Sequence, residues 1–427
     1  MDYRVFPPEE MIEATVSLPL SKSIANRALI LHALTPGNTP APTQADCADS
    51  DAIVKALKDS AAGATTVNIG AAGTAMRFLT AYYAATPGCE ITLDGSERMR
   101  HRPIGPLVDA LRECGASISY AGEEGFPPLK INGCQLNGGE VTLPANISSQ
   151  FISALMMVAP TMTEGLRINL DGEIISLPYI KMTMAMMQNR GIEVDRYPQM
   201  IDIAPRTYEA PADGPESERD WSAASYWAEI SAISAGFVTL PGLKTEGSLQ
   251  GDSAAIDIFE RMGVICQESE DVTDAAEFTP SPEVYSRIDL DMTETPDLAQ
   301  TVAVTAAMLG LPFCLRGLST LRIKETDRID ALCRELLKFG FILETEGDHT
   351  LRWDGRRMPI TQLPEVDTYD DHRMAMAFAP TALFVPGVII RNIEVVSKSY
   401  PGYWDDLRSA GFRLVDASEP LPEREEE

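Results

Sequence analysis

The chain has 427 residues, 44% hydrophobic and 23% charged, enough to bury more than one core and too apolar for a disordered polymer. With 63 acidic against 35 basic side chains the formal charge is −28, which excludes nucleic acid or an anionic membrane as the main partner. A protein of this charge that takes an anionic ligand has to concentrate its few cations locally.

Taken in chain order, the opening MDYRVFPPEE contains no apolar signal core. A strand-like ATVSLPL runs into LPLSKSIANRALILHAL (18–34), where Ser21 or Ser23 is placed to cap an apolar helix. Ser23 and Arg27, four apart, share one face of it just after Lys22. GAAGTAMRFLTAYY (70–83) sets Gly73 and Thr74 at a second helix start, with Arg77 expected in the first turn. RMRHRP (98–103), with three arginines in five residues, is expected to form a mobile arm that closes over anions. NISSQFISALMMVAP (146–160) offers Ser148, Ser149 and Gln150 at a third start. PADGPESERD (211–220), rich in Pro, Gly and charge, is the candidate linker.

In the second half, the apolar stretch TVAVTAAMLGLPFCL (301–315) is too short to span a bilayer and contains Pro312. LRIKETDRIDALCRELLKFG (321–340) has Thr326 as the expected cap and Arg328 just inside, a cation where the helix dipole is already positive. TYDDHRMAMAFAP (368–380) repeats the device, with Asp370 or Asp371 as cap and Arg373 in the first turn. The tail SEPLPEREEE is acidic and Pro-bearing and is expected to fray.

One pattern recurs six times: a helical stretch, a glycine, then a short alternating strand. The glycines are Gly63, Gly115, Gly191, Gly263, Gly340 and Gly411, by subtraction 52, 76, 72, 77 and 71 residues apart. A glycine there suits a left-handed cap that ends the helix and turns into a strand. The spacing predicts six α/β units of about 70 residues, three to each half of the chain.

Each helix start alone is ordinary structure. Together they predict a small ligand with more than one phosphate or carboxylate, because helix N-termini present free N–H groups and Lys and Arg add charge-assisted bonds. Neither a G-x-x-x-x-G-K-[ST] loop nor a G-x-G-x-x-G turn occurs, which disfavours a nucleotide. His32, His101, His349 and His372 lack metal-ligand spacing, so no metal is expected. The seven cysteines are odd in number and include no C-x-x-C, as expected of inert thiols in a reducing cytoplasm.

The segments LPLSKSIANRAL, GAAGTAMRFL, RMRHRPIGPLVDAL, ISSQFISAL, LRIKETDRI, DDHRMAMAF and SKSYPGYWDDL resemble, in order from about Leu18 to Leu407, the motifs of the EPSP synthase family (3-phosphoshikimate 1-carboxyvinyltransferases). The resemblance implies transfer of the enolpyruvyl group of phosphoenolpyruvate to the 5-hydroxyl of shikimate 3-phosphate, with loss of phosphate. It implies an α/β fold of two similar domains, each of three β-α-β-α-β-β units (an inverse α/β barrel), closing on substrate in a cleft between them. Residues 1–20 and 220–427 would form one domain and 21–219 the other. No cofactor or metal is implied. The partners are small anionic substrates, not nucleic acid or membrane, and the protein would be a cytoplasmic monomer whose donor site glyphosate contests.

Carried over by motif, Lys22, Ser23, Arg27, Ser148, Ser149, Gln150, Ser176, Tyr179, Asp297 and Lys324 would hold shikimate 3-phosphate. Lys22, Gly73, Arg102, Gln150, Arg328, Arg373 and Lys398 would hold phosphoenolpyruvate. Asp297 would work at the hydroxyl and Glu325 at the methylene carbon, with Lys22 reaching both substrates. The chain departs from the family's usual residues at Leu20, Ala71, Phe78, Leu177, Thr320 and Asp370, none of them a charged catalytic group. A sister family, the UDP-N-acetylglucosamine enolpyruvyl transferases, usually carries a Lys-Asn pair near the N-terminus and often a cysteine in its mobile loop. This chain has SKSIANR and SERMRHRP instead. A non-catalytic anion-binding relative would be expected to lack the two carboxylates, and both are present.

Overall fold

The structure is a computed structural model and describes residues 1–37, 42–214 and 216–419; the acidic tail read as frayed lies outside the described residues from 420 onward. The N-terminal strands are β1 (Tyr3–Phe6) and β2 (Glu13–Thr15), followed by helices α1 (Lys22–Leu34) and α2 (Ala48–Ala61). Next come β3 (Thr66–Asn68), α3 (Gly73–Ala84), β4 (Glu90–Asp94), α4 (Gly105–Glu113), β5 (Ser117–Tyr120) and β6 (Leu129–Asn132). The same order returns as β7 (Gly139–Pro144), α5 (Ser149–Val158), β8 (Leu166–Asp171), α6 (Leu177–Gln188), β9 (Asp195–Tyr197) and β10 (Met200–Ile203). Then follow α7 (Trp221–Ser234), β11 (Phe237–Pro241), α8 (Ala255–Glu260), β12 (Met262–Glu268) and β13 (Ala275–Val284). A further copy is β14 (Ile288–Asp291), α9 (Ala299–Met308), β15 (Phe313–Arg316), α10 (Arg328–Lys338), β16 (Glu344–Glu346) and β17 (Thr350–Trp353). The chain closes with β18 (Glu365–Val366), α11 (His372–Phe378), β19 (Val388–Ile390), α12 (Tyr403–Ser409) and β20 (Arg413–Asp416).

These elements form five four-stranded sheets, ordered β3-β4-β6-β5, β7-β8-β10-β9, β12-β13-β11-β2, β14-β15-β17-β16 and β18-β19-β1-β20. Each sheet is one β-α-β-α-β-β unit. In each, the first two strands pair in parallel and the last two add antiparallel, as parallel strands joined through a helix and hairpin-joined strands must. Two units are completed by borrowed strands: β2 pairs parallel with β11, and β1 sits between β19 and β20. The copy at residues 20–63 differs. It keeps its two helices, α1 and α2, and its glycine, but contributes no four-stranded sheet among the described residues.

Within a unit the two helices differ in kind. The first is buried nearly all round: all ten residues of α9 and eight consecutive residues of α1 are buried. The second is amphipathic, as in α4, where Leu107, Val108, Ala110 and Leu111 face inward. Five of the six glycines sit just past the second helix with φ from +77° to +98°. At each the chain closes the paired bonds of a left-handed cap, as where Gly411 N–H donates to Arg408 O and Phe412 N–H to Leu407 O. Gly263 departs from this reading. It lies inside β12, at the register shift between Met262 and Val264, and does not cap a helix.

The chain divides into two compact units. The first comprises Met1–Pro19, Arg219–Ser248 and Asp252–Glu427; the second comprises Leu20–Glu218 and Leu249–Gly251. Each has its own apolar core, one around Trp221, Trp227, Phe278 and Tyr403, the other around Tyr83, Phe78, Phe151 and Met156.

Candidate active site

In the second unit α1 packs against α3, α5 and α6, and side chains from the first two turns of all four helices meet at Arg27. Its Nε donates to Thr183 Oγ1 (2.7 Å), Nη1 to Ser23 O (2.9 Å), and Nη2 to Ser153 Oγ (3.1 Å) and Tyr179 O (3.4 Å). The guanidinium carbon lies 5.3 Å from the Phe78 ring centroid and 5.7 Å from that of Tyr179. Every one of these partners is neutral. Burial therefore pulls the guanidinium down to about 10, yet it keeps its proton at neutral pH. A buried cation satisfied by hydroxyls, carbonyls and aromatic faces leaves a positive field for an anion to meet.

Lys22, at the first position of α1, pairs with the buried Asp49 (Nζ–Oδ2 3.4 Å). Ser21 holds the cap position, but its hydroxyl makes no capping bond and is buried with no hydrogen-bond partner among the described residues. Gly73 opens α3 and lies against two cations: a Cβ there would come within 2.5 Å of Arg102 Nη1 and 3.0 Å of Arg77 Nη1. Arg77 falls one turn later than expected and folds back, donating from Nη1 to Gly73 O (3.0 Å) and from Nη2 to Pro103 O (3.4 Å). Ser148 caps α5 by accepting from Gln150 N–H, and the Gln150 amide donates to Thr74 Oγ1 (3.2 Å), so the starts of α3 and α5 adjoin. Ser149 and Ser176 are buried, and Ser176 precedes α6 in the left-handed region at φ 55°, rare for a residue with a side chain. The run at 98–103 contains the 3-10 turn Met99–His101, seated on buried Met99. Arg100 turns to Asp94 (2.6 Å) and Glu97, leaving Arg102 as the arginine that reaches Gly73.

The first unit builds its cluster at the starts of α7, α9, α10 and α11, which also pack together. Arg328 opens α10 and binds three carboxylates: Asp371 (2.6 Å), Asp297 (3.0 Å) and Glu325 (3.0 Å). Asp297 also takes Lys324 Nζ (3.6 Å) and Arg373 Nη2 (3.2 Å), while Glu325 takes Lys398 Nζ (2.6 Å). Burial pushes the Asp297 carboxyl up, but Arg373, Lys324 and Arg328 outweigh it and hold it well below the usual carboxylate range. For Arg328 burial works against the charged form, and Asp371, Glu325 and Asp297 more than restore it.

One cap differs from expectation, and one of two alternatives is resolved. Asp327, not Thr326, caps α10, accepting from Asp330 N–H (3.1 Å), and Asp371 is the cap of α11, accepting from Arg373 N–H (2.9 Å). Asp370 lies outside that helix at φ 56° and accepts from Asn392 Nδ2 (2.7 Å). Asp49, Asp371, Ser153 and Thr183 were not singled out as partners of the cations. The departures take ordinary places: Leu20 packs on Ala25, Ala45 and Cys47, Ala71 is exposed, Leu177 opens α6, and Thr320 is buried in a 3-10 turn. Among the described residues no group of three or more His, Cys, Asp or Glu is placed to hold a metal, and no helix is long and apolar enough to cross a membrane.

Fold and site together define a repeat-built α/β protein with cations clustered at its helix starts. The family model for EPSP synthase (3-phosphoshikimate 1-carboxyvinyltransferase) matches residues 7–407. The chain is 48% identical to the 3-phosphoshikimate 1-carboxyvinyltransferase of Bacteroides fragilis strain ATCC 25285 over 97% of this chain and 99% of that one. It is 37% identical to the enzyme of the same name from Shewanella denitrificans, over 94% and 97%. A solved EPSP synthase from Acinetobacter baumannii shares the fold, with a TM-score of 0.75 at 21% identity, over 97% of this chain and all of that one. The chain belongs to the EPSP synthase (3-phosphoshikimate 1-carboxyvinyltransferase) family.

Proposed function

We propose that the chain transfers the enolpyruvyl group of phosphoenolpyruvate to the 5-hydroxyl of shikimate 3-phosphate, a step toward chorismate and the aromatic amino acids. The observation that carries this is the carboxylate pair Asp297 and Glu325, each held among cations of the first unit. In the addition, the 5-oxygen bonds to C2 of the donor, its proton passes to Asp297, and the former C2=C3 pair takes a proton at C3 from the Glu325 carboxyl. In the elimination, the C2–O bond to phosphate breaks, phosphate leaves, and the new methyl returns a proton so that C2=C3 re-forms. Asp297 is too acidic to be a strong base while three cations hold it. An incoming anion that shares Lys324, Arg328 and Arg373 raises its proton affinity when the hydroxyl arrives.

Arg328, Arg373 and Lys398, with Lys22, Gly73, Arg102 and Gln150 of the second unit, are assigned to phosphoenolpyruvate. Lys22, Ser23, Arg27, Ser148, Ser149, Gln150, Ser176 and Tyr179, with Asp297 and Lys324, are assigned to shikimate 3-phosphate. Arg27 supports this: among the described residues it is held by neutral groups alone, and a phosphate would supply the anion. The same reading makes the chain a monomer of the reducing cytoplasm, supported by its seven free cysteines. Phosphate release tests the function: it should require shikimate 3-phosphate, fail with UDP-N-acetylglucosamine and persist in a chelator. Release with the nucleotide sugar alone would overturn it.

A further inference from the structure

One carboxylate beside Asp297 has no part in the proposed proton transfers. Asp252 stands in the 3-10 turn Gly251–Ala254 and is 4% exposed. Its Oδ2 accepts a short hydrogen bond from Ser222 Oγ, and Oδ1 has no hydrogen-bond partner among the described residues. Ser222 Oγ in turn accepts from Arg373 Nη2 (3.2 Å), the same nitrogen that lies 3.2 Å from Asp297 Oδ2. Arg373 Nη1 meanwhile donates to the Asp297 carbonyl (3.2 Å). The guanidinium is thus held between two carboxyl groups, one direct and one through a hydroxyl that donates in one direction and accepts in the other. Ser222 is free for this relay because α7 is capped through its backbone: Ser222 N–H donates to Asp220 Oδ1 (3.1 Å).

We propose that Asp252 and Ser222 are positioning residues for the donor subsite, fixing the Arg373 guanidinium beside Asp297 so that it presents its charge to phosphoenolpyruvate. This rests on the assignment of Arg373 to that substrate. A buried carboxylate linked to the cation only through Ser222 balances part of its charge without occupying the face that meets the anion. Without the link, Arg373 is free to close more fully on Asp297, and the donor site loses an aimed cation. The ionisable groups around Asp252 are Asp297, Arg373 and Asp220. Burial first, then Asp297, push the Asp252 carboxyl up to about 6, opposed by Arg373 and Ser222. The relay therefore loosens as Asp252 takes up a proton below that pH.

Steady-state kinetics of Ser222→Ala, Ser222→Thr and Asp252→Asn test this. Ser222→Ala and Asp252→Asn should raise KM for phosphoenolpyruvate about tenfold, as for loss of a charge-assisted bond, with kcat and the KM for shikimate 3-phosphate within about threefold. Ser222→Thr, which keeps the hydroxyl, should restore KM. The wild-type KM should bend near pH 6, and Asp252→Asn should remove the bend. Unchanged KM in both disabling variants, or equal loss in both substrates together with a lower Tm, overturns the relay. If the wild type releases no phosphate with shikimate 3-phosphate, the transferase reading fails instead. The relay is then judged by carboxyl NMR: an Asp252 titration moved upward in Ser222→Ala supports it, and an unmoved one overturns it.

Discussion

Arg328 and Asp371 meet side-on, Nε to Oδ2 at 2.6 Å and Nη2 to Oδ1 at 3.3 Å, with both side chains withdrawn from solvent. The cation that looked misplaced at a helix start is held there by a carboxylate from the cap of the neighbouring helix. Removing one member of a buried pair costs about 3–5 kcal/mol when the other charge is left uncompensated. Arg328 keeps Asp297 and Glu325, so Asp371→Ala should destabilise the first unit by less than that in denaturant unfolding, about 1–3 kcal/mol for a buried donor left unsatisfied, and by more than Asp371→Asn, which keeps the cap. A loss under about 1 kcal/mol would show that the pair carries little of the unit's stability.

Asp297→Asn and Glu325→Gln each preserve shape and remove a proton acceptor. We expect kcat to fall by roughly 10²-fold or more, the scale of acid–base groups, with near-native far-UV circular dichroism. Near wild-type turnover in either variant would remove that residue from the proton path.

Gly73→Ala should leave the protein folded but move the Arg102 guanidinium, since the nearest atom to the new methyl, at 2.5 Å, ends a flexible side chain. The readout is KM for phosphoenolpyruvate, expected to rise several-fold while that for shikimate 3-phosphate holds. Equal change in both would point to a shift of α3 as a whole.

The Phe78 ring lies beneath the Arg27 guanidinium. Phe78→Leu keeps an apolar core residue and removes the π face, a contact worth about 0.5–2 kcal/mol. KM for shikimate 3-phosphate should rise about two- to thirtyfold. If only the donor KM moves, Arg27 does not serve the acceptor.

Glu229 of α7 is fully buried, with no hydrogen-bond partner for either oxygen among the described residues, and desolvation holds its carboxyl well above the usual range. A folded-state value above the unfolded one means a contribution fully present below about pH 4.5 and lost as pH rises through the raised value. Glu229→Gln should thus match wild type at pH 4.5 and gain in Tm over it as pH climbs toward 9. A gap independent of pH would show that Glu229 does not titrate on unfolding.

Much of this was legible because it is local. The five left-handed glycine caps and the serine and asparate caps depend on residues within one turn, and period and spacing report them. The cap of α10 was misplaced by one residue because Thr326 and Asp327 are adjacent and both can accept from a helix N–H; the one whose geometry reaches Asp330 is the aspartate. The partners of the cations were not legible. Asp297 lies 31 residues from Arg328, Asp371 lies 43 away in the next unit of the repeat, and Ser153 and Thr183 reach Arg27 across 126 and 156. No local pattern marks such pairs, and an aspartate beside a histidine looks the same whether it caps a helix or also anchors an arginine.

The strand β1, made within the first six residues, sits between β19 and β20 near the other end of the chain. On a ribosome adding ~5–20 residues per second, it waits roughly twenty to eighty seconds for its neighbours. Leu20–Glu218 emerges in one stretch and carries both of its own sheets, so that unit can close its core early. The first seven residues, with Val5 and Phe6 still uncovered, remain an open strand edge throughout synthesis.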